Sequence, residues 1–465
     1  MASTILKYKW PEKSSLSRGA FEIVRKLRAR GHKAYLAGGA VRDVILKRPL
    51  QEIDIATSAK PAVVKRLFPK TIPTGEKHGT ITVRLNKINY EVTTFRLEGP
   101  YEKYRRPTKV KFVDSAEIDA KRRDFTINAL FYDPESKEVI DHVNGIADLS
   151  HQRIRFIGDP DARIKEDALR LLRAVRFATI LDFGLEKETR KAIQKNARLI
   201  TKISAERIKT ELDKILMSRQ PSVGFGLLDI VGLTECILPE LKATQKVTQP
   251  KNEHSEGDVY AHTLLALEQF DETYDLPVRY AVMFHDLGKA QTRQVRDKRI
   301  TFYDHPNVGA KLAENICKRL KFSSRDTAKI SWLVKSHLVP MDFAKMKLST
   351  RRRWGLNSYF SELLKVFLAD AKASIPAAGK PNKMPRAHLE GLKILEEIKA
   401  RPILRKPLLS GYDVMKIFKI KSGPLVGKIL RLVEEKKLAS KIKNKKAAIT
   451  FLQKNQKKIL KKLDK

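Results

Sequence analysis

Glu52 and Asp54 stand one residue apart in the stretch Glu52-Ile53-Asp54-Ile55. On a strand, alternate side chains share a face, so both carboxylates would point the same way. Upstream, Gly38-Gly39 offers a turn where backbone can approach a ligand with no Cβ in the way. Val41–Leu46 then reads as the opening of a helix whose free N–H groups suit a triphosphate, with Arg42 and Asp43 in its first turns. Paired carboxylates beside a phosphate-binding turn are the donors that two Mg²⁺ ions need for nucleotidyl transfer. Alone, Gly-Gly or Glu-x-Asp would mean only a turn or surface acids. At this spacing the combination points to nucleotidyl transfer. Glu91, in Tyr90-Glu91-Val92-Thr93-Thr94-Phe95, is either a third carboxylate or an outward-facing strand residue.

Further along, Arg122-Arg123-Asp124-Phe125 follows a lysine and precedes an apolar run, Ile127–Tyr132. Two arginines can hold phosphates through paired, charge-assisted bonds, and Asp124 could bond a ribose hydroxyl. Glu166-Asp167-Ala168-Leu169-Arg170 reads as the start of a helix that continues through Leu172, Val175 and Phe177. Asp167 and Arg170, three apart, would be neighbours on one helical face. In isolation that is an ordinary helix salt bridge. Arg173 and Arg176 extend the basic face.

Gly38-Gly39-x-Val41-Arg42-Asp43 followed by Asp54-Ile55-Ala56-Thr57-Ser58-Ala59 resembles the head of class II tRNA nucleotidyltransferases and bacterial poly(A) polymerases, in the polymerase beta superfamily. The family usually carries Asp where this chain has Glu52, which is one methylene longer. The resemblance implies that Glu52 and Asp54 ligate Mg²⁺ with Glu91 beside them. It implies that Gly38, Gly39, Arg42 and Asp43 shape the triphosphate pocket, and that Arg122, Arg123 and Asp124 hold ribose and phosphates. Asp167 and Arg170 match the pair that reads the base in place of a nucleic-acid template. A carboxylate accepts from the amino group of cytosine or adenine, whereas guanine and uracil would leave it facing a carbonyl, unpaired. Ser204-Ala205-Glu206-Arg207 resembles the next family element. The polar stretch 97–121 falls where the family has a flexible loop. CTP, ATP and the 3′ acceptor end and elbow of tRNA are the implied partners. Poly(A) synthesis, or addition of CC or A alone, remains open.

A second constellation follows. His262 lies on an apolar helix, His285-Asp286 in Phe284-His285-Asp286-Leu287-Gly288-Lys289, His305 before Pro306, His337 after Ser336, and Asp370 in Ala369-Asp370-Ala371. Imidazoles and carboxylates are the usual ligands of hydrolytic metal sites. Any one of these histidines read alone would be a packed core residue. The set resembles the HD-domain metal phosphohydrolases, which implies a site for one or two divalent transition metals or Mg²⁺ acting on 2′,3′-cyclic or 2′-phosphate ends. His254 fits no element of that pattern. A phosphohydrolase with an impaired transferase head is the competing reading.

The elements that must position these residues are legible in outline. Residues 15–31 read as an amphipathic helix ended by Gly31, Pro61–Phe68 as a short helix, and Thr80–Leu85 and Ile88–Phe95 as strands. The fold expected is α+β: a small mixed sheet in a head, residues 1–150, then a mostly helical body. That body divides into a helical neck (151–245), the HD domain (246–376) and a basic RNA-binding tail (386–465), with a Pro/Ala/Gly/Lys linker at 376–385. Lysine plus arginine number 94 against 53 acids, a net charge of +41, which suits a polyanionic partner. The 42% hydrophobic content excludes a disordered basic tail. Two cysteines, Cys236 and Cys317, exclude a disulfide framework and fit a reducing cytoplasm. No apolar run is long enough to span a membrane.

Overall fold

The computed structural model describes residues 4–99, 101–102, 106–107, 109–297, 299–378 and 384–463. They fall into two units, Met1–Pro239 and Glu240–Lys465, and no helix among them is long and apolar enough to cross a membrane.

In the first unit the chain runs β1 (Thr4–Lys7), α1 (Ser15–Arg28), β2 (Ala34–Ala37), α2 (Gly39–Ile45), β3 (Asp54–Thr57), α3 (Pro61–Leu67), β4 (Thr71–Gly75), β5 (Thr80–Leu85) and β6 (Ile88–Thr94). After β7 (Arg96–Glu98), β8 (Tyr101–Glu102), β9 (Arg106–Pro107), β10 (Val110–Phe112) and α4 (Ala116–Lys121) come β11 (Leu130–Asp133) and β12 (Glu138–Asp141). Among the described residues one mixed sheet has the order β1-β12-β11-β2-β3-β6-β5-β4. All its pairs are antiparallel except β3 with β6. Alternation decides its two faces. Ile23, Val24 and Leu27 of α1 are buried, and α1 and α3 both pack on the strands. On the other face Ala37, Ala56, Phe95 and Phe131 form one apolar cluster with Ala120 and Ile157. Truncating Phe131 or Phe95 to alanine there would cost about 3–5 kcal/mol. The same face, continued past Ala56 and Phe95, carries Asp54 and Glu91.

The sequence expectation differs from the structure at two places here. The strand holding Asp54 begins at Asp54, so Glu52 lies in the extended segment before it and is exposed. Stretch 97–121 is not one long loop: β7 pairs with β10, β8 pairs with β9, and α4 ends the stretch with Ser115 as its N-cap. The β-branched and aromatic residues Val110 and Phe112 explain the strand. Part of the expected loop (100, 103–105 and 108) lies outside the described residues.

After α5 (Gly145–Ser150) the first unit continues as helices α6 (Pro160–Glu166), α7 (Arg170–Leu181), α8 (Lys187–Asn196) and α9 (Ala205–Leu216). The single helix expected from Glu166 onward is broken. Asp167 takes φ −141° and ψ 103°, its Oδ1 accepts from Leu169 N at 3.1 Å, and its carbonyl accepts from Arg170 N at 3.0 Å. A short acidic side chain that captures a nearby backbone N–H competes with the helix, and here it wins.

The second unit is helical apart from the hairpin of strands Gln294–Arg296 and Arg299–Thr301. Helices Val259–Leu267, Leu276–Phe284, His305–Arg319, Ser324–Ser336 and Phe360–Ala373 come first. Of the linker expected at 376–385, residues 379–383 lie outside the described residues, and its last two residues already belong to a helix. Helix Met384–Ala400 follows, and then a separate core of Val414, Ile429, Val433, Ala448, Leu452 and neighbours. The lysine-rich end is therefore two helices, Lys445–Lys454 and Gln456–Leu463, whose spaced Leu452 and Ile459 are buried while Lys445, Lys446, Lys454, Lys457, Lys458 and Lys461 are exposed.

Candidate functional site

All the head residues singled out in the sequence line one cleft of about 1050 Å³. Its floor is the β3–β6 pair. Ile55 aligns with Val92 in parallel register, which sets Asp54 and Glu91 side by side, one residue earlier, on the same face. Burial raises the Asp54 carboxyl to about 6, and the charges of Glu91 and Glu52 push the same way against Arg123. Oxygen donors crowded until one of them prefers its proton make a site suited to a hard divalent cation. Mg²⁺ fits that donor set.

Gly38 is what lets the turn sit so close. Its φ is +74°, and a Cβ there would lie 3.0 Å from Arg123 Nη1 and 3.9 Å from Asp54 Oδ2. A side chain would be strained by the backbone and would crowd the guanidinium nearest the carboxylates. Arg123 Nη1 donates to Asn128 O at 3.1 Å, so the arginine is held from below.

The cleft arginines singled out in the sequence are each tied to an acid. Arg122 and Arg123 both meet Asp119, at 2.7 and 3.2 Å. Asp119 is 1% exposed; burial opposes its charge, yet Arg123 and Arg122 hold its carboxyl below the usual range. Arg42 meets Asp43 at 2.9 Å and donates to Asn128 Oδ1 at 2.6 Å. The Asp124 carboxylate, expected at a ribose hydroxyl, accepts from Arg173 Nε at 2.8 Å and from its neighbour Phe125 N at 2.8 Å. Burial would raise that carboxyl, but Arg173 brings it far below the ordinary value. Arg176 meets Glu211 at 3.2 Å, and burial pulls its guanidinium down to about 10. The guanidiniums of Arg42, Arg173 and Arg176 lie 5.2, 5.4 and 4.2 Å from the ring of Phe177.

Asp167 and Arg170 both line the cleft. Arg170 goes to Glu166 at 2.5 Å, and Asp167 accepts from both Nη atoms of Arg207, at 3.2 and 2.8 Å. Sequence reasoning missed Arg207 as a partner, although its element had been noted. It also missed Asp119 and Glu211, which carry no motif of their own, and the part played by Asn128, which stands within the stretch that follows Arg122-Arg123-Asp124.

In the second unit the structure brings His262, His285, Asp286, His305, His337 and Asp370 together, all buried. Among the described residues three groups have ligand atoms within 4.8 Å of one another: His262, His285 and Asp370; Asp286, His305 and His337; and, at the edge, His254, Glu256 and His262. Nδ1 of His285, His305 and His337 faces a backbone carbonyl three residues earlier, at 2.6, 2.8 and 2.7 Å. Nδ1 of His262 faces Glu256 Oε1 at 2.8 Å. Since those oxygens only accept, each Nδ1 carries a proton and each Nε2 is turned to the centre, where His262 Nε2 lies 3.1 Å from Asp370 Oδ1.

Asp286 spans both groups. Its Oδ2 is 3.3 Å from His285 Nε2 and its Oδ1 is 3.5 Å from His305 Nε2. Neither His285 Nε2 nor Asp286 Oδ2 makes a well-directed hydrogen bond, although Lys289 Nζ approaches the oxygen to 2.6 Å. Buried polar atoms left in this state fit a metal ion. Burial disfavours imidazolium here, yet Asp286 and Asp370 raise His285 to about 10, while burial holds His337 down at about 3. Gly288 explains the Leu-Gly-Lys that follows: a Cβ there would lie 2.1 Å from His305 O, so only glycine lets the helix bearing His305 come this near. His254, which fitted no pattern, joins from outside through Glu256 at 2.7 Å.

A mixed sheet with clustered carboxylates at the mouth of an arginine-lined cleft defines a nucleotidyltransferase-type head. Residues 34–155 match the "Poly A polymerase head domain" family. Residues 182–244 match the "Probable RNA and SrmB- binding site of polymerase A", and 300–452 the "tRNA nucleotidyltransferase domain 2 putative". A CCA-adding enzyme of Ligilactobacillus salivarius (strain UCC118) is 49% identical over 205 residues, 44% of this chain and 50% of that protein. One from Geobacillus thermodenitrificans (strain NG80-2) is 48% identical over 215 residues, 46% of this chain and 53% of that one. The chain thus spans about half the length of these relatives. The crystal structure of Bacillus stearothermophilus CCA-adding enzyme in complex with CTP superposes with a TM-score of 0.72 at 27% identity, over 97% of this chain and 100% of that one. A Thermotoga maritima CCA-adding enzyme complexed with tRNA shares the fold, with a TM-score of 0.54 at 18% identity over 98% and 96%. Residues 34–155, 182–244 and 300–452 thus match domains of the class II CCA-adding enzyme and poly(A) polymerase family.

Proposed function

We propose that this chain is a template-independent RNA nucleotidyltransferase that completes or repairs the 3′-terminal CCA of tRNA from CTP and ATP. The observation that carries the reading is one cleft lined at once by Glu52, Asp54 and Glu91 and by Asp167 and Arg170. Mg²⁺ held by Glu52 and Asp54, with Glu91 beside them, would supply Lewis-acid stabilisation of the reacting phosphate and activation of the primer hydroxyl. The primer 3′-oxygen bonds to the α-phosphorus as the α–β bridging bond breaks, and pyrophosphate leaves with the electron pair. Gly38 and Gly39 keep the turn bare beside the triphosphate, and Arg123, steadied by Asp119 and Asn128, offers its remaining N–H groups to it. Asp167, oriented by Arg207, accepts from the exocyclic amine shared by cytosine and adenine. Arg170 donates to the adjacent acceptor. The likeness to a CCA-adding enzyme whose crystal structure holds CTP supports CTP as a nucleotide.

The test is extension of a tRNA transcript lacking CCA, resolved to single nucleotides, with Mg²⁺ and CTP, ATP or both. Two additions with CTP and a third only when ATP joins are expected. A long ladder with ATP would mean poly(A) synthesis, and a stop after two additions despite ATP would mean CC addition. The convergent imidazoles and carboxylates of the second unit support a second activity, a metal-dependent phosphohydrolase on 2′,3′-cyclic or 2′-phosphate ends of RNA. Hydrolysis of cyclic nucleotide with Mn²⁺, Ni²⁺ or Co²⁺, lost on His285→Ala, checks that reading.

A further inference from the structure

The hairpin of strands Gln294–Arg296 and Arg299–Thr301 leads directly into the metal-binding cluster. From Thr301 the chain passes through Phe302, Tyr303 and Asp304 to His305, the first residue of its helix. Phe302 O accepts from His305 Nδ1 at 2.8 Å, so the root of the hairpin is hydrogen-bonded to a candidate ligand.

The ladder pairs Arg296 directly with Arg299, and both are exposed. Cross-strand partners share a face, and like charges placed directly opposite each other destabilise a strand pair. An anion laid across that face turns the repulsion into two attractions. Tyr303 is 67% exposed, with the guanidinium of Arg296 5.9 Å from its ring centroid. Arg293 is anchored elsewhere, its Nη2 donating to Thr248 Oγ1 at 2.8 Å. The exposed acids nearby, Asp297 at the turn and Asp304 at the helix start, flank this face at its two ends in sequence. An open aromatic ring set among cations is the surface that single-stranded nucleic acid uses, with a base on the ring and phosphates on the charges.

We propose that this hairpin and Tyr303 are the arm that receives a single-stranded RNA end for the metal-binding cluster, the base stacking on Tyr303 and the phosphodiester lying across Arg296 and Arg299. The arm takes its chemical purpose from the phosphohydrolase reading above; the binding itself does not depend on that reading.

Two measurements on the full chain separate the two. The first compares KM for an RNA octamer ending in a 2′,3′-cyclic phosphate with KM for a mononucleotide 2′,3′-cyclic phosphate. In a variant carrying Arg296→Gln, Arg299→Gln and Tyr303→Ala, octamer KM should rise about tenfold or more, kcat should change less than twofold, and the octamer-to-mononucleotide ratio should move towards one. These positions are exposed, and circular dichroism checks the fold. The second irradiates the unsubstituted protein with the octamer carrying 4-thiouridine at its 3′ end and maps the crosslink by mass spectrometry. A crosslink within 294–303 is expected. A crosslink without hydrolysis would keep the arm and remove the phosphohydrolase. Hydrolysis with no crosslink there and no change in the KM ratio would overturn the arm, as would absence of any crosslink at 294–303 in a protein that hydrolyses nothing.

Discussion

Asp54→Asn should make the metal-free protein more stable while abolishing nucleotidyl transfer. The carboxyl is raised from 3.8 to about 6, first by burial and then by Glu91 and Glu52. Each pKa unit is about 1.4 kcal/mol, so the ionised side chain costs the fold roughly 2–3 kcal/mol above pH 6. The sign follows from proton counts. Between pH 3.8 and about 6 the folded state binds more protons than the unfolded chain, so stability is greatest at the acid end and falls as pH rises through that window. Asparagine keeps the shape and has no such slope.

Urea denaturation in EDTA, followed through the transition of the first unit, reads the difference. At pH 8 the variant should exceed the natural sequence by roughly 2–3 kcal/mol, and at pH 4 by less than about 1 kcal/mol. Added Mg²⁺ should stabilise the natural sequence and leave the variant nearly unmoved, while primer extension by the variant falls by orders of magnitude. A variant no more stable at pH 8 in EDTA, or a gain independent of pH, would refute the claim that these acids are crowded for a cation.

Three further substitutions bear on separate contacts. Arg207→Ala removes the bidentate partner of Asp167 and should raise misincorporation of GTP and UTP at least tenfold in single-nucleotide extension, with Arg207→Lys restoring part of the selectivity. Glu256→Leu takes the acceptor from His262 Nδ1 and should weaken divalent-metal binding by the second unit about 10–100-fold, read by metal content after dialysis, with primer extension unaffected. Glu52→Asp should alter kcat/KM by less than about threefold, under roughly 0.7 kcal/mol, because Glu52 is exposed and outside the strand and its extra methylene can be taken up by rotamer; a large gain would mean the glutamate cripples the head.

The strands bearing Asp54 and Glu91, the helix after Gly38 and the amphipathic α1 were legible because alternation, glycine and helical spacing are local signals. The histidine cluster was legible as a set of types, and Gly288 now explains why glycine follows the His-Asp pair. Two local readings failed for physical reasons. Asp167 captures Leu169 N with its side chain and breaks the helix that its neighbours favour, and Val110–Phe112 finds a strand partner in Arg96–Glu98, a pairing that no window of sequence displays. His254 and Glu256 were invisible for a similar reason: their role exists only through His262.

The arginines show most clearly what residue type can and cannot carry. Arg122, Arg123, Arg173 and Arg176 suggested phosphate contacts, and in the fold each one meets a carboxylate: Asp119, Asp119, Asp124 and Glu211. These pairings do not remove the arginines from nucleotide binding. A guanidinium has five N–H donors, so an edge spent on an aspartate leaves another for a phosphate, held at a fixed angle by the first. Were the same arginines unpaired, their mutual repulsion and side-chain freedom would have to be overcome each time a triphosphate arrived. On the proposed reading the acids behind them orient the arginines in advance, so that the binding energy of a nucleotide would go into the contact itself. Asp119 and Glu211 are buried, single and outside any motif, which is why only the three-dimensional arrangement reveals them.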